Sequence, residues 1–159
     1  MKIRIICIGK LKEKYWTSAA AEYSKRISGY ANIEILELKE SKLPSNSSEA
    51  DDNSVLIREG QNILSKIKDN DHVIAMEVEG EQIDSVELAK KIQCAFDTKS
   101  STIDFVIGGS LGLSDEVKKR ADYGLSFSKM TFPHQMARIM LLEQIYRAFK
   151  INSGETYHK

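Results

Sequence analysis

Side chains able to transfer protons or bind anions crowd into the last residues of this 159-residue chain. His158, which follows Tyr157, is the best candidate for a general base because histidine titrates near neutral pH. Chain ends are usually frayed, so a disordered polar tail is the alternative interpretation. Tyr157 would gain nothing in such a tail unless it packed against the protein. The sequence therefore favours a functional carboxyl terminus with proton transfer as its chemistry.

Upstream of this tail, a loop with Pro133 and His134 leads into an apolar helix that carries Arg138, Glu143 and Arg147. Glu143 and Arg147 are one helical turn apart and can form an ion pair. Such a pair is more often structural than catalytic. His134, directly after a proline, is likewise more typical of a helix start than of a catalyst.

A second pattern able to bind a ligand is the turn Gly-Gly-Ser-Leu-Gly at residues 108–112. It follows a buried strand and precedes a helix, and ligands in open α/β sheets bind at the carboxyl ends of strands. Glycines at such a turn allow the backbone to approach a ligand closely. The spacing matches neither the dinucleotide fingerprint nor a P-loop, so a tight loop without a ligand is an equal alternative.

Cysteine and histidine spacing argues against a metal enzyme. Cys7 and Cys94 are isolated, and neither has a second cysteine at the spacing of a zinc site. The three histidines show no metal-ligand spacing either; they are His72, His134 and His158. We therefore predict that the site holds no metal.

Composition indicates a globular protein rather than a membrane or secreted one. Apolar residues make up 42% of the chain, but no unbroken run approaches the ~20 residues that cross a bilayer. The apolar amino-terminal stretch is too short, and too soon followed by lysines, for a secretory signal. We expect one domain over residues 1–159, located in the cytoplasm and without a membrane partner.

Charge is distributed unevenly although the net charge is zero. Residues 1–30 and residues 117–159 each carry five more lysines and arginines than acids. The middle of the chain carries the balancing acids, among them Glu34 and Glu37. Positive ends can steer a polyanion such as RNA to one face. Ordinary surface charges that interleave on folding would explain the same pattern equally well.

Strand and helix patterns alternate along the chain, which is typical of an α/β fold with a mainly parallel sheet flanked by helices. Residues 40–54 are polar and predict a loop or a frayed helix start. Asp84 and Glu87 form a capping box at a helix start. The predicted strands are residues 2–8, 33–38, 72–78, 103–107 and 123–127. The predicted helices are residues 15–27, 56–67, 84–97, a short helix after Ser114, and 134–152.

The last helix is apolar nearly all round, whereas a surface helix needs an apolar stripe of only about 100°. The excess implies burial on both sides, either in the core or across a subunit interface. For the last helix of a small domain, an interface is the better explanation. We therefore predict a homodimer with two-fold symmetry. The apolar positions are Met136, Ile139, Met140, Leu141, Leu142, Ile145, Tyr146 and Phe149.

Three segments of the carboxyl-terminal half resemble a known family. They are FVIGGSLGL at residues 105–113, LSFSKMTFPHQMAR at residues 125–138 and LLEQIYRAFKI at residues 141–151, followed by the terminal YHK. The opening KIRIICIGKLKEKYW and the chain length agree, so the likeness covers essentially the whole chain. The sequence is similar to the ribosomal RNA large subunit methyltransferase H (RlmH) family of the SPOUT superfamily. That resemblance implies an α/β fold with a carboxyl-terminal trefoil knot.

The resemblance also implies a site for S-adenosyl-L-methionine (SAM), held largely by main chain in the knot. Relatives often have leucine where this chain has Met76. They also often have leucine directly before the proline, where this chain has Phe132. Met76 preserves an apolar wall, whereas Phe132 is expected to change the packing around the adenine. Mapped onto this sequence, the cofactor positions are Met76, Gly108, Phe127, Ser128, Lys129, Met130, Thr131 and Phe132.

By the same resemblance, the reaction is methyl transfer from SAM to N3 of a pseudouridine in the helix 69 loop of 23S rRNA, giving 3-methylpseudouridine. The expected partner is 23S rRNA in the assembled ribosome, because the chain is small and its basic surplus is modest. We assign His158 the role of base or proton relay, and Arg138, Tyr157 and Lys159 the positioning of phosphate or base. A non-catalytic RNA- or ribosome-binding α/β module is the alternative. That alternative explains the basic ends but not the glycine turn together with the loop at residues 127–132.

Overall fold

Five strands alternate with five helices in the computed structural model of the protein, which describes residues 1–98 and 100–157. The strands are β1 (Lys2–Ile8), β2 (Asn32–Leu38), β3 (His72–Gln82), β4 (Thr102–Ile107) and β5 (Tyr123–Ser126). The helices are α1 (Lys14–Ile27), α2 (Glu49–Leu64), α3 (Ser85–Thr98), α4 (Asp115–Arg120) and α5 (His134–Asn152). The predicted alternation is confirmed.

The strands form a sheet in the order β2-β1-β4-β3-β5, and every strand pair within the described part of the chain is parallel. β1 and β4 lie inside the sheet and are mostly apolar, with Ile5 paired to Phe105. Strands covered on both faces have this composition because their side chains rarely meet water. Parallel strands need long crossovers, which the alternating helices supply. The predicted α/β class, a mainly parallel sheet flanked by helices, is therefore confirmed.

Helices cover both faces of the sheet. α1, α3 and α5 pack on one face, where Ile27, Ala89 and Leu141 share a core. α2 and α4 pack on the other face, where Ile63 and Val117 belong to a second core. The carboxyl ends of β4 and β5 border an open cleft and are available to a ligand.

α5 begins and ends where the sequence predicts, at His134 and Asn152. Gly154, with φ of +67°, ends it in the left-handed conformation that glycine tolerates. Its apolar surface is buried mainly inside the chain, because α1 and α3 flank it. Met136 is the most exposed of its large apolar side chains, at 37%. The all-round apolar pattern is thus explained by α1 and α3, and the homodimer stays a prediction.

β3 is longer than predicted, because it continues to Gln82. Its pairing with β5 shifts register between Met76 and Glu81. Gly80 permits the shift, since a Cβ there would lie 2.7 Å from the carbonyl carbon of Leu125. Met76 therefore ends the regular pairing rather than the strand itself.

Helix starts follow their local sequence. α2 begins at Glu49, inside the segment predicted as a loop or frayed helix start, because Ser48 and Asp51 form a capping box. The predicted box at α3 is present: the backbone N–H of Glu87 donates to the carboxylate of Asp84 at 2.8 Å. The box at α3 was therefore predicted from sequence, whereas the box at α2 was missed and α2 begins seven residues before the predicted start at residue 56.

The order of strands and helices along the chain does not test two of the predictions. The single domain over residues 1–159 and the trefoil knot at its carboxyl end stay predictions. No helix within the described residues is long and apolar enough to cross a bilayer.

Candidate active site

A cleft of about 500 Å³ opens beside the carboxyl ends of β4 and β5 and the middle of β3. Parallel α/β sheets bind ligands at this edge. Lys129 is exposed and is not among the lining residues. Seven of the eight predicted cofactor residues do line the cleft: Met76, Gly108, Phe127, Ser128, Met130, Thr131 and Phe132.

The turn after β4 belongs to the cleft lining and depends on glycine. A Cβ on Gly108 would lie 2.3 Å from the carbonyl oxygen of Gly112. A Cβ on Gly109 would lie 3.1 Å from both Glu59 Oε2 and Ile8 Cγ2. Gly112 has φ of +80°, and its N–H donates to the Gly109 carbonyl at 3.1 Å. The turn is therefore packed tightly against its neighbours, and its three glycines bring backbone to the cleft lining.

Two serines hold the loop that follows β5. Ser126 Oγ donates to the carbonyl of Ser128 at 3.0 Å, and the N–H of Met130 donates to Ser128 Oγ at 3.1 Å. Phe127 packs on the core of the α5 face, whereas Met130 is 68% exposed. The loop between residues 127 and 132 contains no carboxylate, so its apolar side chains suit a neutral aromatic group.

Charged side chains that the sequence analysis did not assign also line the cleft. Glu77 and Glu79 follow Met76 in β3, and Lys118 of α4 forms an ion pair with Glu77 at 3.5 Å. Two carboxylates beside one ammonium favour a ligand that carries positive charge. The sequence signal that could have identified these two acids is their position just after Met76, a predicted cofactor residue. No group of metal-ligating side chains able to hold an ion occurs among residues 1–98 and 100–157.

Behind the glycine turn lies a buried acid, Glu59 of α2. Its Oε1 accepts the backbone N–H of Ser41 at 2.8 Å, and its Oε2 lies against Gly109. Burial raises the pKa of this carboxyl, the bond from Ser41 opposes that rise, and the charge of Glu40 adds to it. Glu59 braces the turn without lining the cleft, and nothing in its local sequence singled it out.

Tyr157 packs back onto α5. Its ring meets that of Tyr146 edge-on with 5.0 Å between centroids, and its hydroxyl donates to Glu143 at 3.3 Å. The guanidinium carbon of Arg147 lies 4.6 Å from the centroid of the same ring. Burial, followed by the charge of Glu143, raises the pKa of Tyr157, so its hydroxyl remains a hydrogen-bond donor at neutral pH. Tyr157 is thus held on α5 by contacts with three of its side chains.

Tyr157 and the cleft are separate within one chain. Ala137 lines the cleft at the start of α5. Tyr157 contacts Tyr146, nine residues further on, or roughly 13 Å along a helix that rises 1.5 Å per residue. His158 and Lys159 lie outside the described residues. The fold therefore gathers the predicted cofactor residues but keeps Tyr157 away from them.

Arg138 is buried, with 1% of its surface exposed. Its Nη1 donates to Glu37 at 2.5 Å, and its Nη2 donates to the carbonyl of Gly9 at 3.1 Å. These bonds tie α5 to the carboxyl ends of β1 and β2. Such burial favours a structural role, and the predicted contact with RNA would require this ion pair to open.

Replacing Arg138 by alanine is expected to destabilise the fold by about 3 kcal/mol, the lower end for breaking a buried ion pair. The lower end applies because Glu37 is partly exposed and regains water. Urea unfolding measures the change. Lys2→Ala removes an exposed pair with Glu34 and, as the matched control, should cost less than ~1 kcal/mol. An Arg138→Ala variant of unchanged stability that bound ribosomes poorly would instead support the RNA contact.

The chain matches a known family along almost all of its length. A family model described as "Predicted SPOUT methyltransferase" matches residues 1–158. Ribosomal RNA large subunit methyltransferase H 1 of Clostridium perfringens (strain SM101 / Type A) is 57% identical over 159 residues. Ribosomal RNA large subunit methyltransferase H of Bacillus cytotoxicus is also 57% identical, and that of Lactobacillus acidophilus is 54% identical. All three alignments cover 100% of this chain and 100% of the relative.

A solved structure shares the fold. It is that of a probable methylase family protein from Haemophilus influenzae Rd KW20, with a TM-score of 0.55 and 19% identity. The alignment covers 99% of this chain and 70% of that chain. Identity at this level supports the fold alone. The family match and the full-length relatives go further, and they show that this chain belongs to the SPOUT methyltransferase family.

Proposed function

We propose that the protein methylates ribosomal RNA of the large ribosomal subunit, with SAM as the methyl donor. The observation that carries the proposal is the cleft, in which seven predicted cofactor residues meet beside a glycine turn. The family of the chain and the names of its full-length relatives support the same reaction. In finer detail, we propose N3 of a pseudouridine in the helix 69 loop of 23S rRNA as the target and 3-methylpseudouridine as the product.

The size and charge of the cleft support SAM as its ligand. Its volume of about 500 Å³ lies within the range of small-molecule sites, about 300–1,000 Å³. The turn at Gly108 and Gly109 allows backbone to approach a ligand, and Phe127 offers an apolar surface to adenine. Glu77 and Glu79 suit the positive charges of the sulfonium and the ammonium. SAM, when bound, supplies an electrophilic methyl group and leaves as S-adenosyl-L-homocysteine.

The chain itself has to orient the target base and accept one proton. The N3–H of pseudouridine lies between two carbonyl groups and is weakly acidic, so a base that removes this proton makes N3 a better nucleophile. We assign the proton to His158. Tyr157, Lys159 and Arg138 are assigned the orientation of the base or its phosphate. The base must also leave its stack to reach a methyl donor, and these contacts would hold it in that position.

A homodimer would place the tail of one chain beside the cleft of the other. Tyr157 packs on α5 away from its own cleft, as its contact with Tyr146 indicates. Met136 is exposed on α5 between the cleft residues His134 and Ala137. A second copy that covered this end of α5 would bury it. We therefore include a homodimer in the proposal, together with the trefoil knot of the family.

The substrate that we propose is the assembled ribosome in the cytoplasm. The net charge of the protein is zero, and each basic end carries a surplus of five charges. Attraction of this size for a lone RNA is weak at physiological salt. A folded ribosomal surface would supply further contacts through the shape of the RNA.

The test is transfer of a radiolabelled methyl group from SAM to ribosomes that lack this modification, with the modified nucleoside identified by mass spectrometry. We expect labelled 3-methylpseudouridine from ribosomes and little label in free 23S rRNA. Equal rates on both substrates would contradict the ribosome requirement. Label in a different nucleoside would support methyl transfer by this protein but contradict the proposed target. No binding of SAM at high micromolar concentration in calorimetry would favour the non-catalytic module.

A further inference from the structure

The chain turns back after α5, and backbone groups alone cap that turn. Gly154 adopts φ of +67°, and its N–H donates to the carbonyl of Ile151 at 3.0 Å. The N–H of Glu155 donates to the carbonyl of Lys150 at 3.0 Å. A left-handed glycine with such bonds is a common helix end. α5 therefore ends without help from the side chain of Glu155.

That side chain is nonetheless held at both of its oxygens. The hydroxyl of Tyr30 donates to Glu155 Oε1 at 2.8 Å, and the ammonium of Lys150 pairs with Oε2. Tyr30 is itself fixed by Phe149, because the two rings stack with centroids 5.7 Å apart. The bonds from Lys150 and Tyr30 lower the pKa of Glu155, which keeps it ionised at neutral pH. We call Glu155, Tyr30 and Lys150 the tail anchor.

Two residues beyond the tail anchor, Tyr157 occupies a second fixed position on α5. Its contacts with Tyr146, Glu143 and Arg147 are described above, and only Thr156 lies between it and Glu155. The direction in which the chain leaves α5 is thus set at two nearby points. Neither point belongs to the cleft lining, so cofactor binding does not account for them.

We propose that Glu155 is a positioning residue for methyl transfer: held by Tyr30 and Lys150, it keeps Tyr157 on α5, in the position from which Tyr157 orients the target base or its phosphate. This inference rests on the proposed function, in which the tail meets RNA. Exposed ion pairs contribute little to global stability because water competes for them. At a chain end such pairs contribute more to the local structure, because the competing state there is local fraying rather than global unfolding. Misplacing a reacting group by about 1 Å can cost about 100-fold in rate.

Glu155→Ala in the full-length protein removes both side-chain contacts of the tail anchor. We expect kcat for methyl transfer to ribosomes to fall by about tenfold or more, with KM for SAM and the melting temperature unchanged. Glu155→Gln keeps an acceptor for Tyr30 but loses the ion pair, and Tyr30→Phe loses the hydroxyl but keeps the ring stack. Each of these variants should show a smaller fall. The matched control is Glu34→Ala, which removes an exposed carboxylate paired with Lys2 and should leave kcat unchanged.

Nuclear magnetic resonance of tyrosine-labelled protein reports the position of the tail independently of activity. The ring current of Tyr146 shifts the resonances of Tyr157, and Glu155→Ala is expected to move them toward the values of an unfolded peptide. Tyr157 resonances that stay in place in Glu155→Ala would overturn the proposal. A kcat that stays at the unaltered level while those resonances move would overturn it as well.

Failure of the positioning role and failure of the proposed function give different results. If the unaltered protein transfers no methyl group to ribosomes, both fail. If the unaltered protein is active and Glu155→Ala is equally active, the positioning role alone fails.

Discussion

Gly108→Ala is expected to lower the affinity of the protein for SAM by at least about 100-fold, equivalent to about 2.7 kcal/mol. The added Cβ would lie 2.3 Å from the carbonyl oxygen of Gly112 and 2.5 Å from its carbonyl carbon. Both atoms belong to the backbone, so no side chain can rotate away to make room. The turn would have to open, and the lining of the cleft would change with it.

Calorimetric titration with SAM measures this loss, and the melting temperature shows whether the variant is folded. Gly112→Ala separates steric clash from backbone strain. A Cβ there meets nothing within 4 Å, but φ of +80° strains any residue other than glycine. We expect Gly112→Ala to bind SAM more tightly than Gly108→Ala does.

Gly29→Ala is the control for the glycine series. Its Cβ would lie 3.6 Å from the carbonyl oxygen of Arg26, an ordinary contact, and the site follows α1. SAM affinity should therefore equal that of the unaltered protein. A folded Gly108→Ala variant with the same affinity would show that the cofactor does not bind at this turn.

Much of the fold was predictable because its signals are local. α5 was predicted with its observed limits, since Pro133 precedes the first turn and Gly154 follows the last. The capping box of Asp84 and Glu87 lies within one turn of helix. The alternation of strands and helices was sufficient for a parallel sheet, because parallel strands need crossovers.

The parts that sequence reasoning missed depend on contacts between distant segments. Residues 79–82 contain a glycine and three acids or amides, a composition typical of a turn, yet pairing with β5 makes them strand. That α1 and α3 of the same chain bury most of α5 was likewise not readable from α5 itself, because its apolar excess fits a core position and a subunit interface alike. Neither outcome is encoded within the segment concerned.

The candidate site was predictable to a similar degree. The glycine turn and the resemblance of the loop at residues 127–132 located the cleft. The pairing of Arg138 with Glu37 was not predictable, because the two residues lie in α5 and β2, far apart in the sequence. Nothing in the sequence around either residue identifies its partner. Glu77 and Glu79 were missed because a strand pattern alone does not show which side chains line a cleft.

The proposed reaction makes a second strong prediction: His158→Ala should lower kcat by about 10²- to 10⁴-fold, the range for loss of a general base. A neutral imidazole can accept the N3 proton of the target, and alanine cannot. The affinity for SAM should not change, because the cofactor residues lie in the cleft around Gly108 and Phe127. His134 is the competing candidate, since it lines the cleft at the start of α5.

Single-turnover methyl transfer to ribosomes, SAM calorimetry and ribosome co-sedimentation together decide between these roles. A His158→Ala variant with full kcat would exclude it as the base, and a large loss in His134→Ala instead would move the role to the cleft. Loss of ribosome binding with unchanged kcat at saturating ribosomes would make His158 a substrate contact, because only the binding step would then depend on it.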